Sequence, residues 1–244
     1  MSTSTEMNQL KILVIIPAFN ESENIESVIH HLEETCPEVD YLVVNDCSRD
    51  NTADILRNCH ANYINLPVNL GIGGAVQAGY VYAMEHDYDV AIQMDGDGQH
   101  NPEYINQLVE PIRKGEADSV IGSRFINNEG FQSSGLRRFG ISCLSFLIKM
   151  TCGLRIYDVT SGFRAVNKEY IRFFASEYAQ DYPEPEAIVT SKIQGARIQE
   201  IPVVMSERLG GSSSINGLKS VYYMIKVSIS VLITRLTMVR RENG

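Results

Sequence analysis

The sequence predicts an α/β fold with a mostly parallel central sheet and helices on both faces. Two observations carry this. Short apolar runs of four to six residues alternate with stretches of helix length from residue 11 to about 122. Turns rich in Gly, Asp and Asn follow the ends of those runs, at the carboxyl edge where open α/β sheets bind ligands.

The elements follow in chain order. The run 11–16, Lys-Ile-Leu-Val-Ile-Ile, stops at Pro17 and reads as a buried parallel strand. A helix is predicted over 21–35, a strand over 41–45, then a polar turn and a helix over 52–60. A short strand at 63–66 leads into a glycine-rich turn and a helix over 74–86. The strand at 90–94 runs into Asp95, with a helix after Pro102 and another strand at 119–122. Beyond Arg124 the pattern loosens into an apolar run at 139–151, a loop at 158–164, a helix at 188–194, a strand near 198–205 and a long terminal helix. The domain reading is a polar tail over 1–10, one catalytic-size unit over 11–215 and a basic amphipathic segment over 216–244.

Composition narrows the function classes. The 244 residues carry 21 Lys+Arg against 30 Asp+Glu, a net charge of −9, with 44% hydrophobic residues. That apolar content excludes a disordered chain, and a net anion is a poor general partner for nucleic acid. The charge is uneven: from Arg208 onward there are six basic residues and one acidic, while residues 1–207 hold 15 basic and 29 acidic. Five cysteines without a CxxC pair suggest neither a disulfide framework nor a zinc site, so a reducing cytosol is expected. The polar start has no apolar signal region, and the charge-free stretch between Lys226 and Arg235 is too short to span a bilayer.

Asp95-Gly96-Asp97 stands at the end of a predicted strand, where two carboxylates suit a hard divalent cation bridging to a diphosphate. A solvated Asp-Gly turn is the plainer reading of that tripeptide taken alone. Asp46 ends its own strand in the same manner, with helix capping or turn formation as its plainer reading. Gly71-x-Gly73 lacks the third glycine of a dinucleotide fingerprint, since position 76 is Val, so a dehydrogenase is disfavoured and a tight helix start near an anion is expected.

Pro17-x-x-Asn20-Glu21, Val43-Val-Asn-Asp46 with Ser48 and Asp50-x-Thr52, Asn69-x-Gly71-x-Gly73, Asp95-x-Asp97-x-Gln99-His100, Gly122-Ser-Arg124 and Thr160-Ser-Gly-Phe-Arg164 together resemble family 2 glycosyltransferases over about 11–215. Within that family the run 95–100, Arg124 and Arg138-x-x-x-Ser142 most resemble the dolichol-phosphate mannose synthase and bacterial polyprenyl-phosphate glucosyltransferase branch. The resemblance implies a GT-A, Rossmann-like fold. It implies that Pro17, Asn20 and Glu21 line a nucleoside pocket and that Asp46 touches the base or ribose. Asp95 and Asp97 would hold Mg²⁺ or Mn²⁺ on the diphosphate, with Gln99 beside them, and Arg208 would close over the donor on the loop carrying Gly210 to Ser213.

Guanidinium forks match phosphate oxygens, so Arg124, Arg138 and Ser142 are the expected clamp for an acceptor phosphate, and Arg164 is expected to bond within its loop. The implied reaction is inverting transfer of a hexose, glucose from UDP-glucose first, to a polyprenyl phosphate at the cytosolic face of a membrane. Two alternatives stay open: a family 2 enzyme adding sugar to a glycan hydroxyl, and an inactive nucleotide-sugar-binding subunit. Asp181, Glu184 and Glu186 lie where a hydroxyl-directed enzyme would carry a base, or simply supply helix-start charge.

Over 218–239, Lys219, Lys226, Ser230, Thr237 and Arg241 share one helical face, leaving Val221, Ile225, Ile229, Leu232, Leu236 and Val239 on a wide apolar one. Such a helix suits a membrane interface, the catalytic domain or a partner copy in a homo-oligomer. The run 139–150 is a second candidate for membrane contact, with an ordinary buried helix as the equal alternative.

Overall fold

The computed structural model describes residues 10–127, 129–130, 135–181, 183–207, 224 and 226–235, with the backbone alone for Leu136 and Arg137. Seven strands form one sheet: β1 (Ile12–Ala18), β2 (Asp40–Asn45), β3 (Tyr63–Asn65), β4 (Val90–Gln93), β5 (Ser119–Ser123), β6 (Arg164–Asn167) and β7 (Ile198–Pro202). Their spatial order is β3-β2-β1-β4-β6-β5-β7. β1 pairs parallel with β2 and β4, β2 with β3, and β5 with β7, whereas β6 runs antiparallel to both its neighbours.

The predicted mostly parallel sheet is therefore present, with one strand that the pattern did not reveal. β6 occupies the end of what reads as a loop. Only Ala165 and Val166 are apolar in it, too short a run for periodicity to register.

The helices are α1 (Ile25–Thr35), α2 (Thr52–Asn58), α3 (Gly71–Glu85), α4 (Ile105–Arg113), α5 (Gly135–Cys152), α6 (Lys168–Ser176) and α7 (Pro183–Ile193). A single 3-10 turn at Pro102–Tyr104 leads into α4. The alternation of β1 divides the core: Ile12, Val14 and Ile16 join Val28, Leu32, Leu108 and Val109 on one face of the sheet. Leu13 and Ile15 join Val76, Tyr80, Ile171 and Phe174 on the other.

The helix predicted over 21–35 starts late, at Ile25, and two others start early for local reasons. α3 starts at Gly71, three residues early, because the Asp46 carboxylate accepts the amides of Leu70 (2.7 Å) and Gly71 (2.9 Å) and so satisfies the first exposed donors. α7 starts at Pro183, five residues early, with proline preset for a first helical position and Glu184 and Glu186 against the positive helix end. α6 was unread in the pattern; its Asn167 side chain accepts the Tyr170 amide as an N-cap.

Residues 226–235 are helical, and the remainder of the 218–239 stretch lies outside the described residues. Val227 and Val231 are buried with Ile141, Leu144, Ile148, Ile188 and Val189. Lys226 pairs with Asp181 at 2.9 Å and Ser230 donates to Glu186. The face expected to be polar thus packs on α7, and Ile229, Leu232 and Ile233 are exposed instead. Among the described residues no helix is long and apolar enough to cross a membrane.

Candidate active site

Three strand ends meet at one rim. Backbone bonds from Met94 N to Ile15 O (3.0 Å) and from Asp46 N to Ala18 O (2.9 Å) carry the pairing past the strands, so the following loops start from fixed points. They open on a cavity of about 370 Å³ lined by Pro17, Ala18, Phe19 and Glu21, by Asp46, Asn69, Gly71, Ile72 and Ala75, and by Asp95, Gly96, Asp97 and Glu184. Of the residues expected there, Pro17, Glu21, Asp46, Asp95 and Asp97 are brought together.

Asp95 is held from several sides. Its amide donates to His100 Nδ1 at 3.0 Å, which leaves the proton of a neutral ring on Nε2, and Nε2 lies 3.8 Å from Asp95 Oδ2. The His100 ring is buried and stacks on Phe163, centroids 4.9 Å apart. Gln93 Nε2 approaches Asp95 Oδ1 at 3.4 Å. Gly162 presses close: a Cβ there would sit 3.0 Å from both Asp95 oxygens. Asp97 is buried, and its Oδ1 accepts the Gln99 amide across Gly98, whose φ of +78° suits glycine.

The donor set fits a hard cation only in part by itself. Asp95 and Asp97 face the cavity one residue apart, and among the described residues no group of three or more His, Cys, Asp or Glu is arranged to hold a metal. Mg²⁺-type ions commonly take one or two carboxylates plus substrate phosphates, so Asp95 and Asp97 fit a cation whose remaining ligands come from a diphosphate and water.

Several expectations need correction. Asp46, expected on the base or ribose, lines the cavity with each of its oxygens accepting one of the first amides of α3; the anion beside those amides is Asp46 itself. Asn20 is exposed and outside the cavity lining. At φ 57° its Oδ1 accepts the Arg49 amide (2.8 Å) and its own amide donates to Ser48 Oγ (3.0 Å), tying two rim loops together. Gln99 also stays out of the lining and reaches Ser206 O at 3.4 Å. Arg208 and the stretch from Gly210 to Ser213 lie outside the described residues.

Arg124 is corrected as well. Its guanidinium forms a buried fork with Asp158, Nε to Oδ2 at 2.6 Å and Nη2 to Oδ1 at 2.8 Å. Asp158 is in turn seated by Glu200, which accepts the amides of Tyr157 (2.8 Å) and Asp158 (2.9 Å); burial pushes the Glu200 carboxyl above its usual range, against the pull of those bonds.

Arg138 and Ser142 do line a common cavity, about 470 Å³, together with Phe125, Ile141, Ser145, Phe146, Lys149, Arg155 and Tyr157. Arg124 does not line it, although Arg124 Cζ and Arg138 Cζ lie 5.2 and 5.6 Å from the same Phe125 ring centroid. Arg164 bonds within its loop as expected, Nη2 to Ser161 O at 2.5 Å, and also reaches α7, Nη1 to Glu184 O at 3.1 Å. Glu184 is driven above the usual carboxylate range by burial, which Arg164 opposes and Asp95 reinforces. His100, Gln93, Gly162, Lys149 and Arg155 were missed as site residues; the signal at hand was His100 closing the Asp95 to His100 run, and the others carry none in sequence.

Sheet order, acidic rim and cavity together define the GT-A class of nucleotide-sugar transferase fold. The chain belongs to glycosyl transferase family 2, whose model matches residues 13–174, and it is a glycosyltransferase. It is 32% identical over 85% of its length to an undecaprenyl-phosphate mannosyltransferase of Micrococcus luteus, covering 88% of that protein. It is 30% identical over 89% of its length to a polyprenol monophosphomannose synthase of Mycolicibacterium smegmatis, covering 86% of it. In fold it matches glucosyl-3-phosphoglycerate synthase from Mycobacterium tuberculosis, in complex with Mn²⁺, UDP and phosphoglyceric acid, with a TM-score of 0.70, 22% identity and coverage of 93% and 78% of the two chains.

Proposed function

We propose that this glycosyltransferase moves a hexose from a nucleotide-sugar to a polyprenyl phosphate, with inversion and with a divalent cation. The observation that carries the reading is the pairing of two unlike cavities: one with the Asp95 and Asp97 carboxylates, one with Arg138, Lys149 and Arg155 beside exposed apolar side chains. The names of the two sequence relatives support the acceptor and bring mannose forward alongside glucose. UDP-glucose and GDP-mannose are therefore the two donors to compare.

The chemistry follows from charge. A phosphate monoester with a second pKa of about 6 is already largely ionised at neutral pH, so its oxygen attacks the anomeric carbon without a strong base. Arg138 and its cationic neighbours orient that oxygen through guanidinium and ammonium donors. Asp95 and Asp97 would hold a Mg²⁺ or Mn²⁺ ion, which would supply positive charge to offset that of the diphosphate leaving group. Arg208 is proposed to assist there from the segment that follows β7.

Exposed apolar side chains offer a membrane contact. Phe139, Phe146 and Met150 on α5 are exposed, as are Ile229, Leu232 and Ile233. We place them at the cytosolic face of the membrane, next to the cavity for the lipid phosphate. Replacing Phe146 and Ile233 by Glu should abolish flotation with anionic liposomes, and full retention would remove this contact from the account.

Arg138→Ala tests the division of labour. It should raise the KM for undecaprenyl phosphate by about tenfold or more while leaving the donor KM nearly unchanged. Asp97→Asn should abolish transfer. A donor KM that rises with the acceptor KM in Arg138→Ala would contradict two separate cavities.

A further inference from the structure

Five carboxylates line the donor cavity, and four have identifiable work. Asp46 holds the start of α3, Glu21 Oε2 accepts Asn24 Nδ2 at 2.9 Å, and Asp95 and Asp97 form the cation pair. Glu184 remains, in the first turn of α7.

Its placement is firm. Glu184 sits in the first turn of α7 between the buried Pro183 and Pro185. Arg164, 2% exposed, fixes its backbone through the bond to Glu184 O. The chain leading into α7 is packed on α3 so closely that a Cβ on Gly73 would fall 2.2 Å from Ala179 O. Gln93 stands beside Asp95: its Nε2 approaches Asp95 Oδ1 at 3.4 Å and Tyr178 donates to its Oε1 at 3.4 Å, while its amide is near enough to Glu184 to favour the ionised carboxylate against burial. Asp95 and Glu184 thus line one cavity beside the same buried amide.

From this geometry we infer that Glu184 recognises hydroxyl groups of the hexose carried by the donor. The inference rests on the proposed function, because a diphosphate held at Asp95 and Asp97 leaves its sugar beside Asp95, within the same cavity. A carboxylate there repels the diphosphate oxygens, so it is misplaced as a phosphate ligand. Its two oxygens accept O–H bonds well, and hydroxyls on neighbouring sugar carbons present such donors in pairs.

Calorimetry with millimolar Mn²⁺ separates this from the underlying reading. UDP, UDP-glucose, GDP and GDP-mannose are titrated into wild type, Glu184→Gln and Glu184→Asp, with melting temperatures recorded for each. Both variants should bind the nucleoside diphosphate within about twofold of wild type and lose about tenfold in affinity for the matching nucleotide-sugar. Should Glu184→Gln melt early, Glu184→Asp, which keeps the charge and withdraws it from the sugar, decides the question.

Nucleotide-sugar affinity within about twofold of wild type in the folded variants overturns the inference and leaves the proposed function standing. So does an equal loss for diphosphate and nucleotide-sugar, or lost turnover with unchanged nucleotide-sugar affinity, which would assign Glu184 to proton transfer. Failure of wild type to bind either nucleoside diphosphate overturns the proposed function itself.

Discussion

Asp95 is the side chain whose surroundings are most completely specified. His100 accepts its amide, Gln93 approaches one oxygen, and the Gly162 backbone closes against both. Groups that orient a metal ligand without touching the metal commonly change affinity by about 10- to 100-fold when altered. Gly162→Ala must push the Asp95 oxygens or the Gln93 amide aside, so Mn²⁺ affinity in the presence of UDP should fall about tenfold, read by paramagnetic titration. Unchanged affinity would show that the contact has slack. The Asp95 and Asp97 pair was legible in sequence because everything that announces it is local: an apolar run, then two acids one glycine apart. The roles of Asn20, Asp46 and Arg124 were not. Their partners, the Arg49 amide, the Leu70 and Gly71 amides and the Asp158 carboxylate, lie 24 to 34 residues away, and no local pattern encodes them.

Among elements, β6 is the instructive one. It inserts antiparallel between β4 and β5, bringing the loop with Gly162 and Phe163 against Asp95 and His100, yet its four residues give no periodic signal. The strands that read clearly, β1, β2 and β4, are those with unbroken apolar runs, and they carry the acidic rim. Asp118, just ahead of β5, joins three strands: it accepts the Arg197 amide (2.8 Å), Nε (2.9 Å) and Nη2 (2.7 Å) ahead of β7, and Asn167 Nδ2 (3.0 Å) at the end of β6. The Arg197 guanidinium bonds are the main reason the Asp118 carboxyl is held below the usual range. The folded state therefore binds this proton more weakly than the unfolded chain. The resulting stability is present above the ordinary carboxylate pKa and lost as pH falls through the depressed folded value. In urea unfolding between about pH 6 and pH 2, Asp118→Asn should flatten the acid limb, modestly because Arg197 is half exposed. Parallel curves for the two proteins would contradict this.

At the scale of the whole molecule, the net charge of −9 averages over two unlike regions. Acids gather at the carboxyl ends of β1, β2 and β4, where a cation can stand between them and a diphosphate. Cations gather around Arg138 on α5, beside the exposed Phe146. The amphipathic character of the C-terminal stretch was legible, but which face packs was not. Helical periodicity cannot foresee that Val227 and Val231 pack on α5 and α7, with Ser230 bonded to Glu186, and leave Ile229 and Ile233 outside. The central claim, cation-dependent transfer to a lipid phosphate, is tested most directly by incubating the purified protein with undecaprenyl phosphate, Mn²⁺ and radiolabelled UDP-glucose or GDP-mannose. One donor should deliver label into the organic phase, and EDTA should stop it. Label passing only to a water-soluble oligosaccharide, or transfer undiminished by EDTA, would contradict the account.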